Sequence, residues 1–314
     1  MTRPTVVLLE PLHADARSEL AAATDVVEAP SPDADLEGLA HVAAIITRGR
    51  GRVDAALLER CPALRAVARA GVGLDNVDRA AAAARDVVVL NVPDALTDTV
   101  AEHALALALA GRRRAFEGAL DAREGRWEKR LDYAGETLAS ARATVVGLGA
   151  IGARTAALLR AVGADVTTWN RSARDDEAFE PDLDRALEGA EVVSLHVALT
   201  DATRGMIDGE RIGRLAEGAT LVNTARPAVC DRDAVLAGLA DGHLGAYAVD
   251  GFEPEPPATD DPLLRHDRVL VTPHVAALTR STFRGLCLST VRGVLDVLDG
   301  RAPKDGARVV PPSP

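Results

Sequence analysis

One short segment constrains the fold more than any other: Gly147-Leu148-Gly149-Ala150-Ile151-Gly152. It follows the apolar run Thr144-Val145-Val146 and opens a helical pattern over Ile151–Val162. The glycines meet three separate steric demands. Gly147 permits a tight turn out of the strand, Gly149 lets backbone amides approach an anion, and Gly152 lets the helix pack close against the strand. The unpaired N–H groups and the positive dipole end of the helix then face whatever the turn cradles. Strand, turn and helix in this order are the fingerprint of pyrophosphate binding in a βαβ unit. Such a unit commits the chain around it to a parallel sheet covered by helices, and makes the turn a candidate dinucleotide site.

The rest of the sequence keeps that commitment. Short β-type runs at Thr5–Leu9, Val42–Thr47, Leu64–Ala68 and Val87–Val92 alternate with helical patterns at His13–Ala23 and Asp54–Arg60. Asn91-Val-Pro-Asp94 reads as a loop, because Pro93 removes a donor and restricts its predecessor. Asp98 is expected to cap a long helix over Thr99–Arg114 that leads into a second domain. There the alternation resumes, with strands expected at Ala143–Gly147, Asp165–Trp169, Val192–His196, Thr220–Asn223, Gly245–Val249 and Val269–Thr272. Strands with intervening helices match a doubly wound sheet. A last helix over Thr282–Asp299 is expected to cross back to the first domain, and the Pro-rich tail from Pro303 to Pro314 to be loose. At 314 residues, with only 3% aromatics, two cores built from Ala, Val, Leu and Ile are the natural solution.

Charge and cysteines remove several classes of function. The net charge of −11 repels phosphate backbones, and the longest basic block, Arg112-Arg113-Arg114, sits at a helix end that suits cations. Nucleic acid is therefore not expected as a partner. Cys61, Cys230 and Cys287 are far apart and lack CxxC or Cys/His spacing, so neither disulfides nor a metal site is expected. Val6–Leu9 is too short for a signal-peptide core, and no apolar stretch reaches membrane-span length. A cytoplasmic protein is the expectation.

An acidic partner for a ribose 2′-hydroxyl is expected about 20 residues beyond the glycine turn. The sequence instead offers Asn170 and Arg171. Without a carboxylate a 2′-phosphate is not repelled, and Arg171 could pair with it, so NADP is favoured over NAD. Three further segments end strands: Asn223-Thr-Ala-Arg226, Asp250-Gly-Phe-Glu-Pro-Glu255-Pro256 and Thr272-Pro-His274. In an open α/β sheet, ligands sit outside the carboxyl ends of the strands, so these segments converge. An arginine can clamp a carboxylate bidentately, and an imidazole with a reference pKa of about 6.5 suits proton transfer near neutral pH.

Taken with Ala70-Gly-Val-Gly-Leu-Asp-Asn-Val-Asp78, Asn91-Val-Pro, Val100-Ala-Glu-His103 and His196 through Thr203, these segments resemble the D-2-hydroxyacid dehydrogenase family over nearly the whole chain. The similarity is to its phosphoglycerate dehydrogenase and glyoxylate/hydroxypyruvate reductase branches. It implies two doubly wound parallel-sheet α/β domains, a Rossmann dinucleotide-binding domain (98–283) inserted in a flavodoxin-like substrate domain (1–97 plus 284–314). It further implies an NAD(P)-dependent oxidoreductase that interconverts a small 2-oxo acid and its D-2-hydroxy acid, working as a homodimer. Arg226 would be the substrate clamp, His274 the general acid/base, and Glu255 its partner, favouring the protonated imidazole. The amides of Val72 and Gly73 would bind the substrate carboxylate. Asp250 would bond the nicotinamide carboxamide, and Ala150, Ile151, His196, Thr203 and Thr224 would join the glycines around the cofactor. His103 and His196 are otherwise read as packing or backbone-positioning residues, without a catalytic role.

Arg48, in Arg48-Gly-Arg-Gly-Arg52, resembles a family position that can touch the substrate, and its neighbours suggest an anionic or polar tail. Pro227 stands where the family usually has Gly after the arginine, and is expected to reshape the pocket edge. Ala198 and Ala276 are lesser departures. The alternative is a dinucleotide-sensing regulator resembling the family's corepressors. A formate oxidiser is disfavoured by Glu255, where such enzymes carry Gln.

Overall fold

A computed structural model describes residues 3–310 of the chain. These divide into two compact units, Met1–Leu96 with Leu278–Pro314, and Thr97–Ala277. The strands in chain order are β1 (Thr5–Leu8), β2 (Asp25–Glu28), β3 (Val42–Thr47), β4 (Ala66–Arg69), β5 (Val88–Asn91), β6 (Arg142–Val146), β7 (Asp165–Trp169), β8 (Val192–Leu195), β9 (Ala219–Asn223), β10 (Leu244–Asp250), β11 (Val269–Thr272) and β12 (Arg308–Val309).

In the first unit the sheet order is β12-β5-β4-β3-β1-β2, parallel except for β12. Its parallel strands therefore run in the 2-1-3-4-5 order of a flavodoxin-like sheet. The two-residue side-chain period divides each strand between two cores. Val7, Ile45, Val67 and Val89 point into one, while Val6, Ile46, Ala68 and Leu90 point into the other, under helices Ala14–Ala23 and Arg280–Leu298. The long helix Arg280–Leu298 belongs wholly to this unit. Its N-cap is Thr279, whose hydroxyl accepts from the Thr282 amide, so the return to the first unit falls at Leu278 and not at the expected 284.

Two strands escape the sequence reading. β2 is Asp25-Val-Val-Glu28, a largely exposed edge strand without an apolar run. β12 lies in the segment expected to be loose: Arg308 and Val309 pair antiparallel with Asn91 and Leu90, and Arg308 forms an ion pair with Asp94. Pro311–Pro314 lie outside the described residues.

The second unit is an all-parallel sheet of order β11-β10-β9-β8-β6-β7. A single-residue bridge from Phe179 to Thr168 stands beyond β7, at the place where a doubly wound dinucleotide sheet keeps its third strand. Helices Thr97–Arg112 and Ala150–Ala161 cover one face through Ala104, Leu107, Ala156 and Leu159. Asp98 does not cap the first of these. A 3-10 turn at Asp94–Leu96 feeds directly into helical backbone at Thr97, so Asp98 falls in the first turn, where it pairs with Arg154 at 2.6 Å. Among the described residues no helix is long and apolar enough to cross a membrane.

Candidate active site

Gly147 and Gly152 leave no room for a side chain. A Cβ on Gly147, at φ +100°, would lie 2.7 Å from the His196 carbonyl carbon, and one on Gly152 would lie 1.8 Å from the Gly147 carbonyl oxygen. Gly149 is different: a Cβ there meets nothing within 4 Å. It is also the N-cap of helix Ala150–Ala161, with no side chain capping the first-turn amides. The turn thus presents open space and uncommitted N–H groups at a positive helix end, the features an anionic ligand needs.

Asn170, just beyond β7, is tied into this turn. Its Oδ1 accepts from the Leu148 amide at 3.1 Å and its Nδ2 donates to the Ser172 carbonyl at 2.9 Å. Arg171 is exposed. His196 bonds to the Ser194 hydroxyl at 2.9 Å, and burial pushes its imidazole down to about 4, so the ring is neutral. Thr203 staples its own loop: its hydroxyl accepts from the Thr200 amide at 2.8 Å and donates to the Ala198 carbonyl at 2.6 Å.

Arg226 follows β9 on a loop held from beneath by Asn223, which is fully buried. Asn223 Oδ1 accepts from the Ala225 amide at 3.0 Å, while Nδ2 donates to the Arg226 carbonyl at 2.8 Å and to the Tyr247 hydroxyl at 3.3 Å. Pro227 follows Arg226 directly and lines a neighbouring cavity. It opens the 3-10 turn Pro227–Val229, where a missing N–H costs nothing because no acceptor is required. Thr224 has a buried Oγ1 with no hydrogen-bond partner. Such an orphan at the end of β9 fits a ligand amide, and with the space at Gly149 the residues present suit a dinucleotide.

His274 lies beyond β11 in the left-handed region, at φ +55°, on a turn that Asp250 anchors. Asp250, 4% exposed at the end of β10, accepts from the Thr272 hydroxyl (2.6 Å) and the Val275 amide (2.8 Å) on Oδ1, and from the Ala276 amide (2.8 Å) on Oδ2. Thr272 Oγ1 in turn lies 3.0 Å from His103 Nε2. The His274 Nδ1 reaches Glu255 Oε1 at 3.2 Å, and the same oxygen accepts from the Phe252 amide at 2.9 Å. That bond to His274, then the Phe252 amide and the Arg226 charge, hold the Glu255 carboxyl below its ordinary range despite partial burial. Gly251, at φ +105°, makes the approach possible, since a Cβ there would lie 2.8 Å from Glu255 Oε1. A carboxylate and an imidazole thus pair beyond β10 and β11, and Arg226, whose Nη1 donates to the Ala225 carbonyl at 2.7 Å, follows the adjacent strand β9. Together they can bind an anion and move a proton.

In the first unit Val72 and Gly73 follow β4, and Val72 O accepts from Asn91 Nδ2 at 2.9 Å. The Arg48 guanidinium lies 4.6 Å from the centre of the Phe283 ring. The sequence reading assigned nothing to Glu10, Asn223 or Thr272. A glutamate and a threonine at strand ends carry no local signal, since their partners are distant in sequence, and Asn223 holds its own loop while also reaching Tyr247.

Residues 105–276 match the family described as D-isomer specific 2-hydroxyacid dehydrogenase, NAD binding domain. A D-3-phosphoglycerate dehydrogenase of Archaeoglobus fulgidus is 33% identical over 262 residues, 82% of this chain and 50% of that protein, so the chain spans about half that relative's length. The crystal structure of a Thermus thermophilus protein superposes with a TM-score of 0.87 at 32% identity, covering 95% of this chain and 98% of that one. An NADPH-dependent glyoxylate/hydroxypyruvate reductase of Sinorhizobium meliloti, crystallised with NADP and malonate, gives 0.86 at 26% identity over 95% and 94% of the two chains. The chain belongs to the D-isomer-specific 2-hydroxyacid dehydrogenase family.

Proposed function

We propose that the protein interconverts a small 2-oxo acid and its D-2-hydroxy acid with a nicotinamide dinucleotide. The observation that carries this reading is the pairing of His274 with Glu255 at 3.2 Å, on strand ends neighbouring the one that bears Arg226. Gly147, Gly149, Ala150, Ile151 and Gly152 would hold the pyrophosphate, and Thr224 and Asp250 the carboxamide. When bound, the nicotinamide supplies the hydride. Arg226 orients the acid and draws electron density toward its 2-oxo oxygen. His274 Nε2 hands a proton to that oxygen in reduction and takes it back in oxidation, while Glu255 fixes the ring through Nδ1 and stabilises the imidazolium. The substrate-binding roles of Arg48, Val72 and Gly73 belong to the same proposal.

NADP(H) is the preferred form in this reading. Asn170 presents an amide where an acid would repel a 2′-phosphate, and Arg171 is exposed beside it. The structurally similar Sinorhizobium reductase, which is NADPH-dependent, supports this choice. Homodimer formation is supported by a run of exposed apolar side chains, Phe116, Leu120, Trp127 and Leu131. The buried free thiols of Cys61, Cys230 and Cys287 suit the cytoplasm.

The test is a panel of glyoxylate, hydroxypyruvate, phenylpyruvate, 2-oxoisocaproate and 3-phosphohydroxypyruvate with NADPH and NADH, run on wild type and His274→Ala. Turnover of at least one acid, faster with NADPH, is expected, and the variant should be slower by at least about 10²-fold. A full-rate variant refutes the assignment of His274, and a strong NADH preference refutes the cofactor choice.

A further inference from the structure

Glu10 is an acidic residue buried where no mechanism uses it. It follows β1 at 8% exposure, and one of its oxygens lies at the centre of a backbone nest. Oε2 faces the amides of Arg48 (2.7 Å), Gly49 (2.8 Å), Arg50 (3.2 Å) and Gly51 (3.2 Å), with the Thr47 hydroxyl at 3.0 Å. Consecutive N–H groups converging in this way form an anion-binding concavity, and here the chain fills it with its own carboxylate. Burial alone would raise the Glu10 carboxyl, but the four amides together hold it below its usual range, so it stays ionised.

The consequence is the shape of the loop. Asn76 Nδ2 donates to the Gly51 carbonyl at 2.7 Å and closes its base. With these amides turned inward, Arg50 and Arg52 are exposed, while the half-buried Arg48 lays its guanidinium over the Phe283 ring. The loop also bears on its neighbour. Arg69, 8% exposed, fits between the two: its Nη2 lies 3.5 Å from the Cβ position of Gly49 and its Nη1 lies 1.7 Å from that of Gly71. Gly71 leads directly into Val72 and Gly73. One carboxylate therefore sets the Arg48 loop, and the buried Arg69 side chain fills the space between that loop and Gly71, directly before Val72 and Gly73.

We infer that Glu10 is a positioning residue for substrate recognition, holding Arg48 and the Val72 and Gly73 amides where a 2-oxo acid's carboxylate is bound. This rests on the dehydrogenase reading above. Loss of the carboxylate charge loosens the loop and weakens acid binding, with little effect on the nucleotide or on the chemical step.

The experiment compares wild type, Glu10→Gln and Thr47→Val by steady-state kinetics and by amide hydrogen exchange over residues 48–51. Glu10→Gln, which keeps an acceptor but removes its charge, should raise KM for the acid about tenfold, on the order of the difference between a charge-assisted and a neutral hydrogen bond. Its kcat and its KM for the nucleotide should stay within about twofold of wild type, a split that marks lost ground-state binding. Exchange at 48–51 should accelerate. Thr47→Val should move the same quantities in the same direction and serves alone if Glu10→Gln does not fold. Unchanged acid KM in a folded variant overturns the inference, as does a fall in kcat with KM unmoved. A wild type inactive on every acid overturns the dehydrogenase reading itself, a result distinguishable because no variant is involved.

Discussion

Asp250→Asn tests whether the turn bearing His274 is held as the geometry implies. The carboxylate receives the Thr272 hydroxyl and the Val275 amide on one oxygen and the Ala276 amide on the other. Asparagine has one acceptor end and one donor end. Its better orientation keeps the oxygen toward Thr272 and Val275 and turns the NH2 against the Ala276 N–H. One hydrogen bond to a charged acceptor is lost, and the surviving two lose their charge assistance. At 4% exposure no water replaces them. The sum is about 2–4 kcal/mol. For a unit of this size that is a fall in Tm of roughly 5–15 °C, readable by calorimetry. His274, held at φ +55° by this turn, should relax as well, and a displacement on the order of 1 Å costs about 10²-fold in rate. A variant with wild-type Tm and wild-type kcat would show that Asp250 does not hold the turn.

Glu255→Gln gives a pH signature. The folded carboxyl lies below its ordinary 4.5, so it binds protons less readily than in the unfolded chain. Its stabilising contribution is complete at neutral pH and is lost as pH falls through that acidic range. The Tm difference between wild type and variant should therefore be largest near about pH 7 and shrink below about pH 4, and a difference that grows in acid refutes the pairing. Gly152→Ala and Gly149→Ala form a contrast. The first sets a Cβ 1.8 Å from a backbone oxygen and should cost both stability and nucleotide affinity; the second meets nothing within 4 Å and should cost affinity alone. Fluorescence titration with NADPH and melting curves separate the two, and equal destabilisation by both variants would refute this account of the turn.

Much of the fold was legible because buried parallel strands must be apolar throughout. β3, β8 and β9, interior strands buried along nearly their whole length, lie within a residue of where their apolar runs place them. β2 and β12 were not legible, for one reason. Both are short and largely exposed, and unlike the edge strand β11 (Val-Leu-Val-Thr), Asp25-Val-Val-Glu28 and Arg308-Val309 lack the apolar run that signals burial. What makes Arg308-Val309 a strand is the free edge of β5, more than 200 positions earlier, together with Asp94. The Asp98 cap failed for a related reason. An aspartate before a helical pattern is a good cap only if the backbone there is extended, and the 3-10 turn at Asp94–Leu96 makes it helical.

The site divides along the same line. Reactive groups sit in short local patterns: a glycine turn, an arginine after a strand, a histidine after Thr-Pro. Those patterns mark chemistry because only a few residue types can perform it. The groups that aim them leave no such trace. Glu10 reaches across to residues 48–51, Asp250 to residues 272–276, and Asn223 to Tyr247 as well as to its own loop. Each is a polar residue at a strand end, the place where a solvated side chain is the ordinary expectation. Only the parallel sheet makes them neighbours of the loops they hold, since it stacks the carboxyl ends of strands far apart in sequence. A motif therefore names the residue that acts, whereas the residue that aims it becomes visible only once the strand order is known. For that reason mutating Glu10 or Asp250 discriminates better than mutating His274: a lost histidine tests the motif, and a lost buried carboxylate tests the fold's part in the chemistry.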